Sequence, residues 1–376
     1  MKPTLLAALL AITLGSQNAA GEQKQGFELG GLLQLDADFT GKFYNLNAQS
    51  NSEFDVRRAR LNANYRFNRD WRAKFTAQYE ESGDSFNINN AWIRYRGFDA
   101  VKITIGKFKQ PFGLERLDSV RSITPLARAM TTSELTPNRA FGIQLHKFRK
   151  RRTWAVGIFQ IHDDDHRFPN TAPQSITGRY SFAPVRSKSN VLHLGIAGSY
   201  TDWNENPFRL RESAEVGSAD NIIRSARFNA DKQWQIGLES AWQQGPLRLQ
   251  AEYMLTEIDA SDLAQQFNYD GFYVQASYAL SGEHRRYNDG EFSSLKPHSE
   301  RGAVEVFARY SEIDLRDSVG NDAIGAEASV MTVGANVYVD KTIRMGVNYL
   351  MPEISGDTVH QQSTGDAISL RFQLSF

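Results

Sequence analysis

The chain has 376 residues, no cysteine, and 43 basic against 43 acidic residues, so its formal net charge is zero. Disulfides, thiolate metal sites and a cysteine nucleophile are excluded, and any preference for charged solutes must come from where the charges lie rather than from their sum. A mean hydropathy of −0.48 suits a soluble protein, and equally a barrel in which only alternate strand residues face lipid.

The N-terminus carries Lys2, a short apolar run from Leu5 to Leu14, and small residues at Ala19, Ala20 and Gly21. A charge, a short apolar core and a small-residue exit predict a cleaved secretory signal peptide over 1–20, leaving 21–376 as one domain. The run is too short to span a bilayer, and no later stretch approaches the roughly 18 apolar residues of a membrane helix.

From residue 27 onward the pattern has period two. Phe27, Leu29, Leu33, Leu35, Ala37 and Phe39 alternate with Glu28, Gln34, Asp36 and Asp38. The same alternation runs through 234–242, 247–256, 272–280 and 331–339, and it ends the chain as Ile368, Leu370, Phe372, Leu374 and Phe376. Each such strand has one dry face and one wet face. Strands of about ten residues with aromatics at their ends, after an export signal, predict an all-β fold: a sixteen-stranded antiparallel transmembrane barrel, apolar toward lipid and polar toward a lumen.

The predicted strands are 27–40, 53–67, 71–81, 87–97, 101–107, 140–148, 153–161, 174–183, 190–203, 231–242, 246–258, 269–281, 302–312, 326–339, 341–350 and 366–376. An even count puts both termini on the periplasmic side. Turns such as 68–70, 97–99, 244–246 and 340–341 are short, whereas 41–52, 108–139, 204–230, 313–325 and 351–366 are long, as expected of periplasmic turns and outer loops. Two connections exceed what a hairpin needs: 108–139, and 281–301 on the short-turn side. Both are expected to fold into the lumen, since long loops in compact folds are usually functional.

At Gly106-Lys107-Phe108-Lys109-Gln110-Pro111-Phe112-Gly113-Leu114-Glu115 the chain resembles the phosphate-selective porin O and P family of Gram-negative outer membranes. Val56-Arg57-Arg58-Ala59, Asn190 to Gly195, Gly271 to Gln275, and Gly282-Glu283 through Lys296-Pro297 agree, and the likeness keeps its order over the whole mature chain. The resemblance implies a homotrimer of sixteen-stranded barrels in the outer membrane, in contact with its lipid and lipopolysaccharide. It also implies a passive, anion-selective diffusion channel for phosphate, pyrophosphate or polyphosphate. In that family the third and fifth outer loops and one long periplasmic turn fold inward and arrange arginines and lysines along the anion path. It implies no cofactor and no metal.

Segment 107–128 carries Lys107, Lys109, Arg116, Arg121 and Arg128 against Glu115 and Asp118, a formal charge of +3 on a neutral chain. An anion entering a narrow pore loses water, which costs several kcal/mol unless donors replace it. Arginine's planar fork meets two phosphate oxygens at once. By resemblance Arg116, Arg121 and Arg128 fall on the family's cationic loop positions, Arg209, Arg211, Arg224 and Arg227 on its fifth-loop series, and Lys296 on a lysine before proline. Strand parity turns Arg58 and Arg60 into the lumen, and turns Arg57 outward unless a bulge intervenes. Where a family member has an acidic pair before Ala91, this chain has Asn89-Asn90, which implies a more positive site.

The competing readings are weaker on the residues. A sugar-type porin would want an aromatic slide, and 107–128 offers only Phe108 and Phe112. A barrel enzyme would need a catalytic constellation, and seven scattered histidines do not assemble one. His162-Asp163-Asp164-Asp165-His166 is expected to cap an outer loop rather than to bind metal. The basic run Lys147 to Arg152 is expected to be a charged turn rather than a nucleic-acid patch.

Overall fold

The computed structural model describes residues 26–81, 83–162, 168–319, 322–356 and 364–376. The predicted signal peptide lies outside these residues, as do 163–166 of the His162–His166 run. Sixteen strands close into one antiparallel barrel, each pairing with its neighbours in chain order. They are β1 (Gly26–Thr40), β2 (Asn51–Arg66), β3 (Trp71–Glu80), β4 (Ser85–Tyr95), β5 (Lys102–Lys109), β6 (Arg139–Phe148), β7 (Arg152–Gln160), β8 (Gln174–Arg186), β9 (Asn190–Phe208), β10 (Phe228–Gln244), β11 (Leu247–Ala260), β12 (Gln265–Ala279), β13 (Ala303–Asp314), β14 (Ala326–Tyr338), β15 (Ile343–Gly356) and β16 (Ala367–Ser375).

The barrel closes where β1 meets β16, in register from Leu32 opposite Ser375 to Thr40 opposite Ala367. Closure leaves no open sheet edge, which is a condition for crossing lipid with strands. The terminal Phe376 pairs with the backbone of Gly31 in both directions, at 2.8 and 3.2 Å. Its ring lies where a side chain on Gly31 would stand, and a Cβ on Gly30 would stand 2.8 Å from the Phe376 carbonyl oxygen.

Alternation decides which face meets what. Ile105, Ile158, Ile196, Ile236, Val274, Leu370 and Phe372 are exposed on the outer face, as a lipid-facing band requires. The polar residues between them, such as Gln144, Thr177, Gln235, Gln275 and Thr332, are buried inside.

Parity fails at two places on the β1–β4 side. Gln34 pairs with Arg58 and Asp36 with Asp55, so Leu35 alone opposes Val56 and Arg57. Likewise Thr76 pairs with Asn90 and Ala77 with Ile88, leaving Asn89 as the extra residue. Both are β-bulges, which re-aim side chains at such positions.

Both long connections fold inward. Segment 110–138 carries two short helices, α1 (Leu114–Leu117) and α2 (Met130–Glu134). The turn between β12 and β13 forms a small hairpin, Tyr287–Asn288 with Glu291–Phe292, and exchanges hydrogen bonds with the wall between Arg285 and Gln243 at 2.9 and 3.1 Å.

Gly106 has φ +129°, a region nearly closed to other residues, and a Cβ there would stand 2.1 Å from the Ala91 carbonyl oxygen. Gly106→Val should therefore cost about 1–3 kcal/mol from the backbone alone, plus the collision. We expect a lower urea midpoint and less folded, heat-modifiable protein on gels. A wild-type midpoint would contradict this account of the strand.

Candidate functional site

The inward loop is pinned to one half of the barrel. The Glu252 carboxylate of β11 accepts the backbone N–H groups of Leu114 and Glu115, both at 2.7 Å, and the Tyr273 hydroxyl at 2.5 Å. Bonds to a charged acceptor contribute about 1.5–3 kcal/mol each, so this one side chain fixes the start of α1. Arg309 of β13 bonds both Glu115 of the loop and Glu215 of the fifth loop, and donates to the Ala127 carbonyl at 3.1 Å. Arg344 of β15 donates to the carbonyls of Ile123 and Thr124, and Arg371 of β16 to that of Leu126. Arg285 of the periplasmic turn pairs with Glu305 at 2.8 Å and also holds the loop at Ser122 and Thr124.

Three of the arginines on this half are balanced by carboxylates, whereas Arg344 and Arg248 are held by carbonyls, side-chain amides and a hydroxyl. Arg309 faces Glu115 and Glu215, Arg285 faces Glu305, and Arg371 faces Asp36. Each of these three charges meets a fixed opposite charge, which is the condition under which a buried ion is tolerated.

The opposite half is different. Between the loop and the wall of β2–β8 lies a cavity of about 380 Å³ whose lining includes Arg60, Lys74, Arg94, Lys109, Arg121 and Arg139. None of these six forms an ion pair among the described residues. Arg60 donates to the Gln78 amide oxygen at 2.8 Å, Arg94 to the Thr104 hydroxyl at 2.9 Å, and Lys109 to the carbonyls of Leu117 and Asp118 at 2.9 and 2.8 Å. Arg179 also lines the cavity, but it is neutralised by Glu239 at 2.6 Å. Asp289 and Glu291, from the inward periplasmic turn, are the acidic residues in the lining.

A second cavity of about 140 Å³ lies between the two inward outer loops and β2, lined by Arg57, Arg58, Arg128, Glu212 and Glu215 among others. Here the expectation for Arg57 changes: the bulge turns it inward, and its side chain packs over Gly217. Arg58 is paired with Glu80 at 3.0 Å.

The sequence-predicted residues thus divide. Arg60 and Arg121 share the larger cavity, and Arg58 and Arg128 the smaller one. Arg128 spends its guanidinium on backbone, donating to the carbonyls of Glu115 at 3.2 Å and Asp118 at 3.0 Å. Arg116 is buried and donates to the Asn138 side chain. Arg209 and Arg224 donate to loop carbonyls at 3.2 and 2.7 Å, and Arg211, Arg227 and Lys296 are exposed; none of these five lines either cavity. Sequence reasoning missed Lys74, Arg94 and Arg139. Lys74 and Arg94 stand on the polar parity of their strands, a signal already present in Ala73-Lys74-Phe75 and Ile93-Arg94-Tyr95.

A closed sixteen-stranded barrel with an apolar outer band and a lumen narrowed by inward-folded segments is an outer-membrane porin, a channel of the bacterial outer membrane. The chain belongs to the phosphate-selective porin O and P family, whose model matches residues 27–376. It is 27% identical to Porin O of Pseudomonas aeruginosa over 402 aligned positions, covering 96% of this chain and 91% of that protein. Among solved structures it shares the fold of the outer-membrane protein OmpT of Vibrio cholerae, with a TM-score of 0.62, 10% identity, and coverage of 96% of this chain and all of the other. An anion-selective porin from Comamonas acidovorans is similar to the same degree, with a TM-score of 0.61, 12% identity, and coverage of 94% and 100%.

Asp118 sits on the loop behind the cavity, where its carboxylate accepts the Phe292 N–H at 3.2 Å. Burial, then the nearby Glu291 carboxylate, push it up to about 7. Below that pH it is neutral; above it the added negative charge opposes anions in the path. Anion selectivity should therefore rise as pH falls from 8 to 6, and Asp118→Asn should hold the high value throughout. Reversal potentials at the two pH values check this, and the same pH dependence in Asp118→Asn would contradict it.

Proposed function

We propose that the protein is a passive anion-selective channel for phosphate or its condensed forms, pyrophosphate and polyphosphate. The observation that carries this reading is the set of six cations around one narrow cavity that form no ion pair among the described residues. A cationic ring replaces the water an anion gives up, and weak repeated binding lets it leave again. Arginine forks favour a phosphate, with several oxygens, over spherical chloride. In this reading Arg60 and Arg121 act in the constriction with Lys74, Arg94, Lys109 and Arg139. Arg58 and Arg128 act above it, and Arg116 supports the loop. Arg209, Arg211, Arg224 and Arg227 serve the outer approach and Lys296 the periplasmic one. Assembly as a homotrimer, with the remaining apolar band against lipid and lipopolysaccharide, is part of the same proposal.

Arg121 distinguishes binding from scaffolding. It is exposed in the cavity, and no side-chain hydrogen bond or ion pair holds it among the described residues. Arg121→Ala should weaken phosphate block of chloride current in planar bilayers by roughly 10–150-fold, the equivalent of one charged hydrogen bond of about 1.5–3 kcal/mol. Arg121→Lys should recover chloride current better than phosphate affinity. Phosphate block within about twofold of wild type in Arg121→Ala would remove Arg121 from the path.

A further inference from the structure

The cavity that carries the cations is not uniformly polar. Trp92 lines it from β4, half-buried, with its ring packed on the cluster of Phe108, Ala140 and Phe159. The Arg94 guanidinium lies 4.5 Å from the centre of the Trp92 ring. From the loop side, Pro111, Leu117 and Val120 line the same space, and Leu117 is only partly buried. The aromatic that sequence spacing offered in this loop besides Phe108, Phe112, is fully buried elsewhere, against Gly237.

An inorganic anion has no use for this arrangement. Apolar walls take water from it and return no donor, so they only weaken its binding. An anion with a flat apolar group gains from both surfaces: its charged end reaches arginine or lysine while its ring covers Trp92 and Leu117. We propose that the constriction is an amphipathic slot that prefers anions bearing an aromatic ring, aromatic carboxylates and aryl phosphate monoesters, over small anions with the same head group. The proposal rests on the anion-channel reading above and adds aromatic anions to the solutes of that channel. The energetic demand is small. A tenfold preference needs burial of only about 55 Å² of ring surface at about 25 cal/mol per Å².

The test uses paired probes in planar bilayers with the full-length channel: benzoate against acetate, and phenyl phosphate against methyl phosphate. Half-block of chloride current should occur at about tenfold lower benzoate than acetate, with the same order for the phosphate pair. Benzylammonium, which has the ring with the opposite charge, should not block. Trp92→Ala and Leu117→Asn should each bring the paired values toward equality, with chloride current in the same record showing a folded, open channel. Leu117→Asn keeps the branching and heavy-atom count of the side chain and touches no arginine stack, so it separates loss of apolar surface from displacement of Arg94. Equal block by benzoate and acetate in the wild type overturns the proposal. So does a ring preference that survives both substitutions, or equal block by benzylammonium. A reversal potential on the cation side would instead overturn the anion-channel reading, whereas anion-side reversal without ring preference overturns this proposal alone.

Discussion

The structure depends on one electrostatic division. Buried carboxylates on β1, β11 and β13, together with Glu115 and Glu215 of the inward loops, hold the loop against the half of the barrel formed by β10–β16 and β1. Glu252 takes two loop N–H groups, while Glu115, Glu215, Glu305 and Asp36 neutralise Arg309, Arg285 and Arg371. Acids used in this way cannot neutralise the opposite wall. Arg60, Arg94 and Lys109 are left to an amide, a hydroxyl and carbonyls, and Lys74, Arg121 and Arg139 form no ion pair among the described residues. A chain with zero net charge therefore contains a strongly cationic constriction.

The division also explains why the loop can narrow the channel without filling it. A loop of 110–138 inside a barrel would leave many backbone groups unsatisfied, each costly once removed from water. Arginines from the wall and the periplasmic turn supply donors to the carbonyls of Ser122, Ile123, Thr124, Leu126 and Ala127. The loop is thereby laid along one wall, and the free volume stays on the other. Gln110 anchors its base by accepting from Ser175 and Thr177 of β8 at 2.9 and 2.6 Å.

The barrel was legible because lipid imposes a rule on every strand. Outward positions must be apolar, so period-two alternation recurs from strand to strand, interrupted at the bulges, and the strand order follows from chain order. The inward course of the two long connections was legible from length alone. Individual site residues were less so. Arg57 points inward because of a bulge, and nothing in Val56-Arg57-Arg58 marks the extra residue. Arg128 and Arg121 look equivalent in sequence, yet Arg128 is tied to the carbonyls of Glu115 and Asp118 while Arg121 is not. Lys74 and Arg94 were readable by parity, but a search centred on loops passes over wall residues. The apolar side of the slot joins Trp92 of β4 to Leu117 of the loop, a pairing set by tertiary folding and absent from local spacing.

The most direct test of the central claim is the reversal potential of the wild-type channel in a salt gradient whose dilute side is already about 1 M, where the Debye length is roughly 3 Å. Charges around an open mouth are screened there, whereas an ion touching unpaired arginines and lysines in a narrow cavity is not. The account requires a clearly anion-selective potential that persists at this ionic strength. Collapse to the value for free diffusion would show that the cavity cations do not contact the permeating ion, and would contradict the account.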